Sequence, residues 1–145
     1  MAEVKKIVLI EFTPAQMFDL VDGVENYQGF LPWCGGADLI ERTDIRTVAT
    51  IHINYHGIKA HFSTENTKVW PHEMHIRLRE GPFRHFDGNW MFTALGETAC
   101  KIEFNLHYQF SSKLLEKALG PVFNHIANTF VDSFVRRAEQ VYRRV

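Results

Sequence analysis

The feature that most constrains the fold of this chain is a long stretch in which apolar and polar residues alternate with a period of two. The clearest example is Ala99–Phe110, where the even-numbered positions from Cys100 onward are apolar and the odd-numbered positions from Lys101 to Gln109 are polar. Successive side chains of a β-strand point to opposite faces of a sheet. The pattern therefore predicts an antiparallel sheet with one covered face and one face in water.

Short turn signals divide the alternating stretch into six predicted strands. A two-residue turn at His56-Gly57 fixes one register, because it places Ile51 opposite Phe62 and sorts both faces of the hairpin correctly. The alternation does not continue cleanly to Val69, so we expect a β-bulge near Thr64–Lys68. The six strands are Leu39–Arg42, Thr47–Tyr55, Ile58–Val69, Glu73–Arg79, Phe86–Thr93 and Ala99–Phe110.

The N-terminal part of the chain predicts one more strand and two short helices. The strand covers Val4–Phe12. The residues Thr13-Pro14-Ala15-Gln16 then supply a capping box and a proline at the first helical position, so a short helix follows and ends near Gly23. A second short helical segment covers Val24–Phe30 and stops before Pro32.

The C-terminal segment from Ser112 to Tyr142 predicts a long helix, because apolar residues recur there in neighbouring pairs four residues apart. We expect a kink or break at Gly120-Pro121, since Pro121 lacks a backbone donor and its ring clashes with the carbonyl of Lys117. Together the elements predict a single α+β domain over residues 1–145, with an antiparallel sheet and helices on one face. A long helix across a curved sheet leaves space for a cavity.

Composition and charge exclude several classes of protein. Lys and Arg number 16 against 17 Asp and Glu, a net charge of −1, which argues against a general nucleic-acid coat and against DNA as a partner. No apolar run approaches the ~20 residues of a membrane span. The N-terminal residues lead directly into a strand, so we predict a cytoplasmic protein without a signal peptide. Cys34 and Cys100 have neither disulfide nor zinc spacing.

No catalytic constellation is found in the sequence, so we predict a binding protein rather than an enzyme. Cys34 stands in a flexible Gly-rich setting, but no basic partner for a reactive thiol can be assigned to it. His52 and His61 are expected to be cross-strand neighbours and could ligate zinc. No third ligand is evident, and a solvated polar face is the favoured interpretation. We therefore predict no catalytic residue and no metal site.

Aromatic residues make up 13% of the chain, and most of them fall on faces predicted to point inward. Two interpretations stay open: a packed aromatic core, or the wall of a large apolar cavity under the long helix. The cavity would be roofed by the loops Phe30–Gly36 and Gly81–Phe86. Its predicted lining comprises Phe30, Trp33, Phe62, Phe83, Trp90, Phe92, Phe104, Tyr108, Phe123, Phe130 and Phe134.

A basic cluster ends the last predicted helix. Its members are Arg136, Arg137, Arg143 and Arg144, with only Glu139 opposing them. One interpretation is a favourable interaction with the helix dipole, together with solubility. The other is contact with anionic lipid headgroups or ribosomal RNA. Both interpretations stay open.

Several segments resemble a known family in the same order along nearly the whole chain. They are Val24–Trp33, Glu80–Phe83, Asn89–Phe92, Cys100–Phe104, Leu119–Phe123 and Phe130–Ala138. The chain resembles the bacterial ribosome-association toxin A and coenzyme Q-binding protein family, part of the START-like superfamily often labelled polyketide cyclase/dehydrase. The resemblance implies a helix-grip fold, in which a curved antiparallel sheet of about seven strands grips the C-terminal helix around a hydrophobic tunnel.

The resemblance implies two functions, of which we expect the first. Members similar to mitochondrial quinone-binding proteins bind ubiquinone and support respiration. That implies a carrier of a hydrophobic quinone or lipid, transiently in contact with a membrane and peripheral to the inner membrane. No cofactor is expected beyond ubiquinone as a ligand. Thr64, Asn66 or Tyr108 would supply polar groups that orient its ring.

The alternative is a ribosome-association toxin, which would bind the large ribosomal subunit and inhibit translation initiation. The arginine cluster is then the candidate contact, although the net charge of −1 does not favour phosphate binding. The superfamily label also implies an aromatase or cyclase, which no acid–base pair in the sequence supports.

Overall fold

The computed structural model describes residues 1–143 and comprises one seven-stranded antiparallel sheet, two α-helices and a short 3₁₀ helix. The helices are α1 (Pro14–Asp22), the 3₁₀ helix (Val24–Gly29) and α2 (Lys113–Tyr142). The strand order is β1-β7-β6-β5-β4-β3-β2. Strands β2 to β7 therefore form a meander, and the N-terminal strand β1 adds to its edge beside β7. The predicted α+β architecture, with a long C-terminal helix against an antiparallel sheet, is confirmed. The strands are β1 (Ala2–Ile10), β2 (Cys34–Arg42), β3 (Arg46–Tyr55), β4 (Ile58–Val69), β5 (Glu73–Glu80), β6 (Phe83–Leu95) and β7 (Ala99–Phe110).

Two strands of the sheet, β2 and β6, begin several residues before their predicted first residues. β2 begins at Cys34 instead of Leu39, because the glycines that follow Cys34 form an irregularity within the strand and do not end it. Gly36 has φ +146°, a conformation that glycine tolerates best, and the register of β2 against β3 shifts between Cys34 and Gly36. β6 begins at Phe83 instead of Phe86, since Phe83 already pairs with Phe110 of β7.

The predicted β3–β4 hairpin is confirmed, with Ile51 paired to Phe62 across the turn. The irregularity between β4 and β5 lies between Ser63 and Thr64, at the edge of the region where we expected a bulge. Inward and outward positions keep alternating along β4 without a change of face. Its later inward positions are occupied by the polar residues Thr64, Asn66 and Lys68, all of which are buried.

Local signals explain how the helices begin. Thr13 and Gln16 cap α1 reciprocally: the Thr13 amide donates to Gln16 Oε1 (2.8 Å), and the Gln16 amide donates to Thr13 Oγ1 (3.2 Å). The Ser112 hydroxyl caps α2 by accepting from the Leu115 amide at 3.2 Å. The break that we considered at Gly120-Pro121 does not occur, because α2 continues as one helix through Pro121. Pro121 is exposed, so water can reach the carbonyl that its missing N–H leaves unpaired.

The C-terminal end of α1 is tied to the sheet by a partly buried ionic network around Asp22. Lys68 is 8% exposed, and its ammonium lies 3.1 Å from Asp22 Oδ2. Thr47 donates its hydroxyl to Asp22 Oδ1 at 2.7 Å, and Arg42 Nε lies 3.4 Å from Oδ2. A buried lysine needs such a partner, because an unpaired charge inside a protein is costly. The network therefore explains how Lys68 occupies an inward position.

The connection between β5 and β6 depends on Gly81. This residue has φ +152°, and a Cβ added to it would lie 2.7 Å from the Cβ of Phe62. We expect Gly81→Ala to lower the free energy of unfolding by about 1–3 kcal/mol, through backbone strain and a collision with β4. Gly29→Ala is the matched control: a Cβ there meets nothing within 4 Å, so its effect should stay within about 0.5 kcal/mol. Urea unfolding followed by circular dichroism measures both, and equal stabilities would contradict the assigned contact.

Candidate functional site

A cavity of about 70 Å³ lies between the concave face of the sheet and α2. Its wall is mostly apolar and rich in aromatic rings. Five of the strands contribute to this wall, together with α1, the 3₁₀ helix, the loop after it, and α2. The helix supplies Phe123, Ile126, Ala127 and Phe130, which follow the three- and four-residue spacing of one helix side. The aromatic wall comprises Tyr27, Trp33, Phe62, Phe86, Trp90, Phe104, Phe123 and Phe130.

Six of the eleven residues predicted to line a tunnel are brought together in this wall. They are Trp33, Phe62, Trp90, Phe104, Phe123 and Phe130. The helix residue Phe130 is central, because its ring lies 5.8 Å from Trp90, 5.8 Å from Phe104 and 6.1 Å from Trp33 between centroids. A ligand-binding role for these six residues stays a prediction.

The structure places the other five predicted residues away from this cavity. Phe83 and Tyr108 pack around Phe123 with ring centroids at 4.9 and 4.8 Å, at the end of the sheet near the start of α2. Phe92 contacts Phe18 of α1 and forms core.

Phe134 is fully buried against Tyr27 and Phe30, with ring centroids 5.4 Å from each. Phe30 is partly buried beneath Arg137. None of these five residues lines the 70 Å³ cavity, and a ligand-binding role for them also stays a prediction.

Several residues of the cavity wall were not predicted from the sequence. Tyr27 lies in the 3₁₀ helix, where its hydroxyl donates to the Val21 carbonyl and burial raises the pKa of its phenol. No pattern in the sequence around Tyr27 predicts that this residue lines the cavity. Ile126 and Ala127, in contrast, follow Phe123 at helical spacing, and a helical-wheel projection of Ser112–Tyr142 would have found them.

Polar groups enter the cavity wall from β4 and from the loop before β2. Thr64 and Asn66 line the cavity, as does Trp33, whereas the third predicted polar residue, Tyr108, does not. Within residues 1–143, the indole Nε1 of Trp33 and the Oδ1 of Asn66 are buried and make no hydrogen bond. Each such unpaired atom costs about 1–3 kcal/mol of folding free energy.

The two cysteines are inert in this environment. Cys34 is buried and donates its thiol hydrogen to the Gly36 carbonyl, with an S–O distance of 3.4 Å. Burial raises the pKa of the Cys34 thiol and outweighs the lowering effect of that hydrogen bond. Burial also raises the pKa of Cys100 to about 11. Both residues are therefore thiols, not thiolates, at neutral pH.

The histidines predicted as cross-strand neighbours do lie side by side on the outer face. The rings of His52 and His61 are 6.0 Å apart between centroids, and His52 Nε2 lies 2.8 Å from Asp38 Oδ2. In the described part of the chain, no three His, Cys, Asp or Glu residues are grouped so that they could hold a metal ion.

The basic cluster is less exposed than its sequence suggests. Arg143 pairs with Glu139 at 2.7 Å and with Glu11 of the distant N-terminal segment at 3.4 Å. Arg137 stacks over the ring of Phe30, with its guanidinium carbon 5.2 Å from the centroid. Arg136 is exposed, and no ion pair involves it among residues 1–143. Arg144 lies outside the described residues.

No helix in the described part of the chain combines the length and the apolar character needed to cross a bilayer.

Solved structures share this architecture at low sequence identity. The Zhui aromatase/cyclase from Streptomyces sp. R1128 has a TM-score of 0.78 at 14% identity, covering 96% of this chain and 94% of that one. A START superfamily protein from Mycobacterium smegmatis has a TM-score of 0.75 at 16% identity, covering 96% and 98%. At these identities the similarity shows the fold alone.

Curated relatives are similar over nearly the whole chain. Ribosome association toxin RatA of Vibrio cholerae is 39% identical over 98% of this chain and 99% of its own length. The RatA protein of Escherichia coli K12 is 36% identical over 98% and 90%. Coenzyme Q-binding protein COQ10 homolog B, mitochondrial, of Xenopus laevis is 23% identical over 94% and 57%. The two RatA proteins are named for ribosome association and not for a reaction.

Residues 10–135 match the family described as polyketide cyclase/dehydrase and lipid transport. This match, the near full-length similarity to RatA proteins and the shared architecture agree with one another. The chain therefore belongs to the polyketide cyclase/dehydrase and lipid transport family, as a relative of the ribosome association toxins.

Proposed function

We propose that this protein associates with the large ribosomal subunit and inhibits translation initiation. The observation that carries the proposal is the 39% identity with Vibrio cholerae RatA over 98% of this chain and 99% of that protein. The quinone carrier that we expected first from the sequence has weaker support, since the coenzyme Q-binding relative is 23% identical. Ribosome association therefore replaces the quinone carrier as the first of the two functions that we propose.

A surface for ribosome contact must be local, because the chain as a whole has a net charge of −1. The exposed side of the last turns of α2 is the candidate surface. Arg143 is neutralised there by two glutamates, and Arg137 lies on an aromatic ring. Arg136 remains as an exposed cation that can reach a phosphate or an acidic protein surface.

Reversing the charge at position 136 tests this surface. We expect Arg136→Glu to weaken co-sedimentation with purified large subunits and to lower the slope of log affinity against log salt by about one, because one phosphate contact is lost. Growth inhibition on overexpression should decrease in parallel.

Lys113→Glu is the matched control, since it makes the same charge change at an exposed position at the opposite end of α2. Equal losses of ribosome binding in the two variants would show that net charge, and not the Arg136 surface, controls the association.

The cavity favours a second function, the binding of a hydrophobic small molecule. Its wall is apolar and aromatic, and two buried polar atoms of that wall are unpaired. An isoprenoid tail would contribute about 0.8 kcal/mol for each methylene that it buries. The 70 Å³ volume is well below the roughly 300–1,000 Å³ of pockets for drug-sized ligands, so a ubiquinone could place only part of its ring there unless side chains move.

Filling the cavity tests this function. Ala127 is buried in the helix side of the wall, and we expect Ala127→Leu to abolish uptake of a short-chain ubiquinone, because the new side chain occupies the space. Ala118→Leu adds the same side chain at an exposed position of α2 and should leave uptake unchanged. Organic extraction and mass spectrometry quantify the bound quinone, and circular dichroism verifies the fold. Equal quinone content in both variants would exclude the cavity as the site.

The unpaired amide oxygen of Asn66 predicts a stability effect opposite to that of an ordinary buried polar residue. Asn66→Leu should raise the free energy of unfolding by about 1 kcal/mol, because it removes a buried acceptor without a partner. Thr47→Val is the control. Thr47 donates to Asp22, so its loss should lower the free energy of unfolding by about 1–3 kcal/mol. Urea unfolding that shows the same destabilisation in both variants would mean that the Asn66 oxygen is paired in solution.

A further inference from the structure

The two unpaired polar atoms of the cavity wall have opposite hydrogen-bonding roles. The indole Nε1 of Trp33 carries a hydrogen and can only donate. The side-chain oxygen of Asn66 can only accept. The other end of that amide is engaged, since Asn66 Nδ2 contacts Met74 Sδ at 3.7 Å, and this contact leaves the oxygen as the unpaired end.

Both residues are deeply buried and belong to the same cavity. Trp33 is 3% exposed and Asn66 is 7% exposed. They reach the cavity from separate elements, Trp33 from the segment before β2 and Asn66 from the second half of β4. Buried polar atoms are almost always paired in folded proteins, so a donor and an acceptor left over in one cavity point to a ligand that pairs with both.

We propose that Trp33 and Asn66 select a hydroxylated aromatic ring as the ligand of this cavity. A ring hydroxyl accepts from Trp33 Nε1 and donates to Asn66 Oδ1, either as one group or as two groups on the same ring. The surrounding rings of Trp90, Phe104 and Phe130 suit an aromatic ligand, because aromatic rings pack favourably edge to face or offset. The inference rests on the proposed small-molecule function and specifies its ligand class.

A site of this kind distinguishes the oxidised from the reduced form of a quinone. The carbonyls of an oxidised quinone only accept hydrogen bonds, so they would satisfy Trp33 and leave the Asn66 oxygen unpaired. The reduced ring carries hydroxyls, which satisfy both atoms. A site that rejects a ligand without the required donor does so because its own buried acceptor then stays unpaired.

Three small probes that share an ethylphenyl group test the proposal on the full chain by titration calorimetry. They are para-ethylphenol, which donates and accepts, para-ethylanisole, which only accepts, and ethylbenzene, which does neither. We expect the phenol to bind at least tenfold more tightly than the anisole. Asn66→Leu should reduce this preference to less than twofold and leave ethylbenzene binding intact, whereas Trp33→Phe should weaken the phenol and the anisole relative to ethylbenzene.

Asn105→Leu is the matched control, because Asn105 lies on the outer strand face and pairs with Asn89, away from the cavity. It should keep the tenfold preference. Equal affinities for phenol and anisole in the unaltered chain, or a preference that survives in Asn66→Leu, would overturn the proposal. If ethylbenzene binds and the phenol binds no more tightly, the hydroxyl selection alone fails. If none of the three probes binds, the small-molecule function fails together with it.

Discussion

The packing of phenylalanines from α2 into the concave face of the sheet is the interaction on which the rest of the structure depends. Phe123 and Phe130 each contact several rings of the sheet at centroid distances of about 5–6 Å, and Phe134 closes the same side of the helix against Tyr27 and Phe30. Phe123 and Phe130 also line the cavity, so the rings that hold α2 against the sheet form part of the wall of the candidate site.

Most of the fold could be predicted from the sequence because its signals are local. The period-two alternation identifies the strands, the turn at His56-Gly57 gives the β3–β4 register, and Thr13 with Gln16 marks the start of α1. The exceptions are also physical. The glycines after Cys34 were interpreted as a flexible setting but lie within β2, and the last helix, for which a break at Gly120-Pro121 was considered, continues through the exposed Pro121.

The candidate site was predicted less completely, because alternation tells which face a residue occupies and not where along a curved sheet it lies. Phe83 and Phe104 both point inward, yet Phe83 packs at one end of the sheet and Phe104 reaches the cavity. The expectation of a β-bulge near Thr64–Lys68, in the polar half of β4, was inaccurate for a related reason. Lys68 is buried because Asp22, 46 residues earlier in the chain, provides its counter-charge, and no local pattern shows such a pairing.

The two proposed functions both depend on α2, and helix geometry keeps them apart. Ala127 lies in the cavity wall and Arg136 is exposed nine residues further along. At 3.6 residues per turn, nine residues rotate a side chain by two and a half turns, so these positions lie on opposite sides of the helix. The inward side is determined by packing against aromatic rings, whereas the outward side is free to carry charge. One helix can therefore line a ligand cavity with its inward residues and present a cation to a ribosomal surface with its outward residues. Neither function restricts the residues that serve the other.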